Sequence, residues 1–258
     1  MDHLKRVTDE FARQAQTFDT WAVKADDRVA DRFRAALGET GRGKLLDVAC
    51  GPGVVCAALA PTAASVVAFD ATDAMLEKAK ARCAKMGLSN VAFRSGDAEN
   101  LPFDAREFDG VATRLAIHHF AEPQRALNEM FRVLRPGGTA VIVDAASSED
   151  PSEASLHNAI ERLRDPSHVR MLPASELDAR VGQAGFRDLA TATWDMDREL
   201  DEWLSIVDDP ARVEPIRVVI RTLAEAGRSA GIGLSIKDGR VVFFHRWRLI
   251  KATKPSGH

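Results

Sequence analysis

A short apolar run, Leu45-Leu46-Asp47-Val48, enters the turn Ala49-Cys50-Gly51-Pro52-Gly53 and leaves it as a second apolar stretch, Val54-Val55-Cys56-Ala57-Ala58-Leu59. That order reads as strand, tight turn, helix. Glycine lets the backbone turn sharply and lets a ligand lie against bare main chain. The helix that follows points its first N–H groups, which have no partner within the helix, at whatever occupies the turn. A turn of this kind, at the carboxyl end of a first strand, is where open α/β sheets bind nucleotides.

The same rhythm continues downstream. Strand patterns at Lys44–Val48, Ser65–Asp70, Val91–Arg94, Phe108–Thr113 and Thr139–Asp144 alternate with helix patterns at Val54–Leu59, Asp73–Met86 and Pro123–Leu134. Asp73 is the expected N-cap of the second of these helices. Arg135-Pro136-Gly137-Gly138 reads as a turn before the fifth strand. This alternation predicts a parallel sheet with right-handed crossovers.

After Asp144 the rhythm breaks. A polar link, Ser147–Ser152, leads to helices at Ser155–Leu163 and Pro173–Ala184, then to strands at Phe186–Trp194 and Val241–Ile250. Roughly 45 residues separate those two strands, more than an ordinary connection needs. Helix patterns at Glu199–Val207 and Ala211–Ala226 within them predict an inserted helical cap. The expected organisation is a helical cover segment over 1–40, a nucleotide-binding domain from 41–196 and 237–253, and the inserted cap over 197–236. The fold class is α/β, with a Rossmann-like, seven-stranded, mostly parallel sheet, an antiparallel last strand and helical cap insertions.

Two nucleotide classes are disfavoured. A dinucleotide fingerprint needs a third glycine at position 56, where Cys56 stands, and no phosphate-loop lysine motif is present. The turn instead resembles the first motif of class I S-adenosylmethionine (SAM) dependent methyltransferases. Asp70-Ala71-Thr72-Asp73-Ala74-Met75-Leu76, Gly96–Phe103, Phe108-Asp109 and Arg132–Gly138 follow in that family's order and spacing. The likeness covers about residues 40–150. It is nearest to small-molecule methyltransferases of the ubiquinone and menaquinone biosynthesis type (methyltransferase type 11). It implies SAM as cofactor, S-adenosylhomocysteine as product and methyl transfer to an O, N or C nucleophile. It does not fix the acceptor.

The resemblance assigns roles residue by residue. Gly51 and Gly53, with Ala49 and Cys50, let backbone approach the methionine and ribose. Asp47 meets the ammonium, unless it only caps the following helix. Asp70 accepts the ribose hydroxyls, with Ala71 beside it. Met75 packs on the adenine, whose exocyclic amine meets Asp97, flanked by Gly96 and Ala98. Arg114 follows the fourth strand at the cofactor's edge.

His118 and His119 follow the same strand at the mouth of the sheet. One neutral imidazole there would orient the acceptor or take its proton, and His119 is favoured. Adjacent histidines face different ways, so no metal pair is expected and no metal is assigned. The resemblance implies that Gln14, Phe18 and Trp21 of the N-terminal segment close the pocket, with an amphipathic packing helix as the alternative reading. His168 and Arg170, in the charged turn Arg164–Arg170, are further candidates for acceptor contact. A surface salt-bridge loop is the simpler alternative there.

Composition narrows the remaining classes. With 35 basic and 38 acidic residues among 258, the net charge of −3 implies neither a nucleic-acid nor a membrane partner. Cys50, Cys56 and Cys83 have neither disulfide nor zinc spacing and read as reduced thiols of a cytoplasmic protein. The partner expected is a small-molecule substrate, and the sequence is compatible with a homodimer. Two rival readings remain open: a protein that binds SAM without transferring its methyl (catalysing another reaction or using SAM structurally), and a nicotinamide-dependent oxidoreductase.

Overall fold

The computed structural model describes residues 3–24, 28–207 and 209–256, with backbone alone over 16–24 and at 29. Helices α1 (His3–Lys24) and α2 (Val29–Leu37) precede the sheet. Then come β1 (Lys44–Val48), α3 (Val54–Leu59), β2 (Ser65–Asp70), α4 (Asp73–Lys85), β3 (Val91–Ser95) and β4 (Phe108–Arg114). After these follow α5 (Pro123–Val133), β5 (Leu134–Ala146), α6 (Pro151–Arg164), α7 (Ala174–Gln183) and β6 (Arg187–Glu199). The chain closes with α8 (Leu200–Leu204), α9 (Pro210–Glu225), β7 (Ser235–Lys237) and β8 (Arg240–Thr253).

The strands lie in the order β3-β2-β1-β4-β5-β8-β6. The first five are parallel, and β8 runs antiparallel between β5 and β6. The chain winds outward to one side of β1 through β2 and β3, and to the other through β4 and β5. The crevice at β1's carboxyl end is therefore the place where an α/β sheet of this order can seat a ligand.

Alternation sends Leu45 and Leu46 to opposite faces of β1. Leu45 joins a core with Phe33, Val66, Ala68, Leu76 and Trp247. Leu46 joins the other face's core with Val48, Phe69, Val111, Leu127 and Phe186. Both faces are covered, which is why these strands read as continuous apolar runs. A third cluster ties the cap to the end of the sheet: Trp203, Ile206, Ile216 and Ile220 pack with Phe243 of β8. The Trp203 and Phe243 rings meet edge to face, 5.3 Å apart.

The structure differs from the sequence expectations in five places. Thr72, not Asp73, is the N-cap of α4, because its backbone carbonyl already accepts the Leu76 N–H. An eighth strand, β7, folds back on β8 through Asp238-Gly239, both with positive φ (49° and 76°), as a two-residue hairpin requires. Helix α6 starts at Pro151, inside the expected polar link, because Asp150 accepts N–H bonds from Ser152 and Glu153. Strand β6 runs on to Glu199 because β8 pairs with it as far as Glu199↔Val242. The charged residues Asp195, Asp197, Arg198 and Glu199 hid that extension. Strand β5 begins at Leu134, and its register with β4 shifts beside the Arg135–Gly138 turn.

Gly53 supports the central turn from behind. Its φ is +81°, and a Cβ there would stand 2.8 Å from the Ala79 Cα of α4. Gly53→Ala is expected to lose about 1–3 kcal/mol of stability, the sum of left-handed strain and overpacking. Urea unfolding measures this, and an unchanged midpoint would contradict the packing described.

Candidate active site

A cavity of about 190 Å³ opens at the carboxyl ends of β1, β2 and β4. Its floor is the β1–α3 turn, in which Ala49, Gly51 and Gly53 all have positive φ (54°, 53° and 81°). Two buried carboxylates brace that turn. Asp47 accepts the Cys56 N–H at 2.8 Å, capping α3 from inside. Asp70 accepts the Gly51 N–H through one oxygen and the Thr72 N–H through the other, each at 2.8 Å.

Burial pushes Asp47 up to about 8, against the pull of the Cys56 bond and with Asp70's charge adding to the rise. Asp70 is raised for the same first reason, with the Thr72 and Gly51 bonds offsetting part of it. A cationic ligand group between them would relieve both. A carboxylate oxygen has two lone pairs, so Asp70 can still accept hydroxyls while holding the loop.

Several sequence-predicted cofactor residues meet here. Asp47, Ala49, Cys50 and Gly51 line the cavity from the turn, and Asp70, Ala71 and Met75 from β2 and α4. Gly96, Asp97 and Ala98 line it from the loop after β3, and Arg114 from β4. A Cβ on Gly51 would touch no protein atom within 4 Å, so it would stand in the open cavity. The bare backbone, the paired carboxylates and the Asp97 loop fit the methionine, ribose and adenine of SAM. Gly53 departs from its expected place: it lies against Ala79 rather than on the cavity, so its part is packing. Residues His3, Leu4, Val7 and Phe11 of α1 also line the cavity. They were not singled out, since an amphipathic helix carries no ligand motif.

A second, smaller cavity of about 50 Å³ adjoins the first and shares Phe11, Leu115 and His119 with it. His119 thus stands at the junction. Its Nδ1 is 3.2 Å from the Ser167 hydroxyl, which donates to Asp165 at 2.6 Å. Ser167 Oγ is then an acceptor for Nδ1–H, leaving the lone pair on Nε2. That Nε2 lies 4.0 Å from the Asp165 carboxylate. Burial, then the neighbouring His118, pushes His119 down to about 4, so it is neutral near pH 7.

His118 is the opposite case. Burial works against its charge, but the Asp144 carboxylate, 2.5 Å from Nδ1, outweighs that and raises it. His168, pushed down to about 3 by burial and then by His118, bonds Asn158 at 2.8 Å.

Gln14, His118 and His168 line the second cavity. Arg170 does not: it is exposed and pairs with Glu176 at 2.7 Å, the surface salt bridge that was its simpler reading. The side chains of Phe18 and Trp21 lie outside the described residues. Trp203 and Ile206 reach this cavity from the segment expected to be an inserted cap, whereas Glu161, Arg164, Arg198 and His245 also line it and were not singled out for it. These four come from α6, β6 and β8, elements distant in sequence that no local spacing links.

Residues 46–142 match the family model described as a methyltransferase domain. The chain is 35% identical over 170 residues to the uncharacterized methyltransferase YcgJ of Bacillus subtilis, covering 65% of this chain and 66% of that protein. It is 30% identical to the malonyl-[acyl-carrier protein] O-methyltransferase of Pseudescherichia vulneris, over 70% and 68% of the two chains. The crystal structure of YcgJ superimposes with a TM-score of 0.82 at 28% identity, covering 90% of this chain and all of that one. The chain belongs to the class I SAM-dependent methyltransferases. A demethylmenaquinone methyltransferase from Clavibacter sepedonicus is 32% identical over 66% of each chain. The cofactor of this methyltransferase is SAM. No helix among its described residues is long and apolar enough to cross a membrane.

Asp70→Ala removes the acceptor that both ribose hydroxyls and the Gly51 N–H would use. It should weaken S-adenosylhomocysteine binding by about 1.5–3 kcal/mol, the cost of leaving charge-assisted bonds unmade. Calorimetry on the folded variant measures this, and unchanged affinity would remove the ribose assignment.

Proposed function

We propose that this methyltransferase acts on a small-molecule acceptor seated in the second cavity, with His119 orienting the attacking atom. The observation that carries the reading is that His119 borders both cavities, between cofactor space and acceptor space. SAM, when bound, supplies a methyl group on an already charged sulfur, so the protein need only align and desolvate the acceptor.

An O–H or N–H nucleophile at the junction would meet two acceptors, His119 Nε2 and the Asp165 carboxylate. Ser167 and Asp165 fix the imidazole's tautomer, and burial, then His118, keeps its basicity low. His119 therefore works chiefly by directing a lone pair at the methyl, and less by storing a proton. The acceptor cavity's small size and the near-neutral net charge support a small metabolite over a nucleic acid.

Helix α1 and the helices within 197–236 act as cover and cap in this reading, because the sheet's open end alone would leave the acceptor wet. Trp203 and Ile206 reach the second cavity from the cap, and Phe11 and Gln14 from α1.

A panel of candidate small-molecule nucleophiles incubated with SAM, read by mass spectrometry, tests the function. One methylated product should appear for each S-adenosylhomocysteine formed. A converted acceptor without S-adenosylhomocysteine would replace methyl transfer with another reaction.

His119→Ala should lower kcat by about 100-fold or more if the imidazole assists proton movement as well as alignment. Protonation removes its lone pair, so kcat/KM should hold steady as pH falls through 6 and decline only near about 4. Asp165→Asn removes an anion that raises His119 and should move that decline lower still. An acid limb near the free-imidazole value of about 6.5 would show that another group governs the rate.

Amide hydrogen exchange should slow in α1, α8 and α9 when cofactor product and acceptor bind together. Identical exchange with and without ligands would reduce these helices to packing elements.

A further inference from the structure

Behind the second cavity three side chains converge that methyl transfer leaves unused. His157 and Glu161 lie one turn apart on α6 and share a face of that helix. His245 reaches them from β8. One Glu161 oxygen, Oε1, is 2.9 Å from His245 Nε2 and 3.5 Å from His157 Nε2. One ligand atom from each residue lies within 4.8 Å of the other two. All three residues are buried, His157 completely.

Among the described residues the Nδ1 of His157 has no hydrogen-bond partner, and its Nε2 has only the long 3.5 Å approach to Glu161 Oε1. A fully buried imidazole so poorly paired is costly, and a bound ion would relieve that cost. We propose that His157, Glu161 and His245 form a binding site for a divalent transition metal of the zinc class, at the rear of the second cavity.

The spacing fits the chemistry. Two ligands on a tetrahedral zinc with bonds of about 2.1 Å stand about 3.4 Å apart, and cis ligands on a six-coordinate ion about 3.0 Å. The 3.5 Å separation falls on the tetrahedral value, and the 2.9 Å pair, here a hydrogen bond, would open by about 0.5 Å around such an ion. Two imidazoles and one carboxylate are the donor set of open zinc and iron(II) sites, which leave a position for an exogenous ligand. That position faces the second cavity, because Glu161 and His245 line it.

The surrounding charge narrows the choice of metal. Arg164 lies 3.8 Å from the other Glu161 oxygen, Oε2, leaving Oε1 to the imidazoles. Arg198 also faces the cavity and acts on His245. Asp165 supplies a further negative charge on the same wall. Two guanidiniums beside one carboxylate disfavour a hard cation such as Mg²⁺ or Ca²⁺, which binds through oxygen charge. They tolerate better an ion whose affinity comes from imidazole nitrogen.

The test does not depend on methyl transfer or on knowing the acceptor. Full-length protein is stripped with EDTA and titrated with Co²⁺ and Zn²⁺, followed by calorimetry and visible absorption. One ion per chain is expected, with Co²⁺ ligand-field bands that Zn²⁺ displaces and excess Mg²⁺ does not.

Glu161→Gln and His157→Asn should each weaken Co²⁺ binding at least about tenfold, while His119→Asn binds as the wild type does. Circular dichroism checks the fold of each variant, and the wild-type titration stands without them. No saturable Co²⁺ binding by the wild type overturns the proposal. So does binding that survives both substitutions, or binding lost in a folded His119→Asn protein, which would move the ion to the other histidines.

Discussion

The Asp70 carboxylate is the part on which the site depends. It sits at the end of β2 and grips the Gly51 N–H of the turn after β1, while its other oxygen takes the Thr72 N–H at the start of α4. Two neighbouring βα units are thus locked together at the place where the ligand must lie. Asp47 does the corresponding work within the first unit by capping α3. Neither carboxylate is held by a countercharge alone. Both are fixed by backbone N–H groups, and their protonation is set by burial. A ligand seated on this turn would meet backbone that these bonds already hold, which lowers the ordering cost of binding.

The first cavity was legible in the sequence because the contacts that build it are local. Gly51, Asp70 and Asp97 each stand at the carboxyl end of a strand, and the sheet order brings those ends to one crevice. Short-range rules sufficed there: apolar runs for buried parallel strands, glycine at positive φ, an acid after the strand. Gly53 shows the limit of such rules. Its pattern reads as ligand contact, but its side-chain space is filled by Ala79 of α4, a tertiary fact with no local trace.

The second cavity was mostly hidden, for a physical reason. Its wall draws one or two residues each from α1, α6, β6, α8 and β8, and no spacing rule links Glu161 to His245 or Arg198 to Trp203. His119 and His168 were recognised because histidine after a strand or in a charged turn is chemically conspicuous. Arg170 was equally conspicuous, yet Glu176 draws it to the surface. The cap's packing on β8 through Trp203 and Phe243 likewise joins segments that the sequence places far apart.

That division bears on how such an enzyme changes its substrate. The first cavity is floored by the β1–α3 turn, which two acids brace. Most residues lining the second cavity lie outside residues 46–142. On the proposed function, substitutions in that second lining would alter the choice of acceptor while the turn keeps its shape. His119 lies at the border of the two cavities, inside residues 46–142. On that proposal, a library restricted to residues 164–168 and 198–206 would explore new acceptors with the β1–α3 turn left untouched.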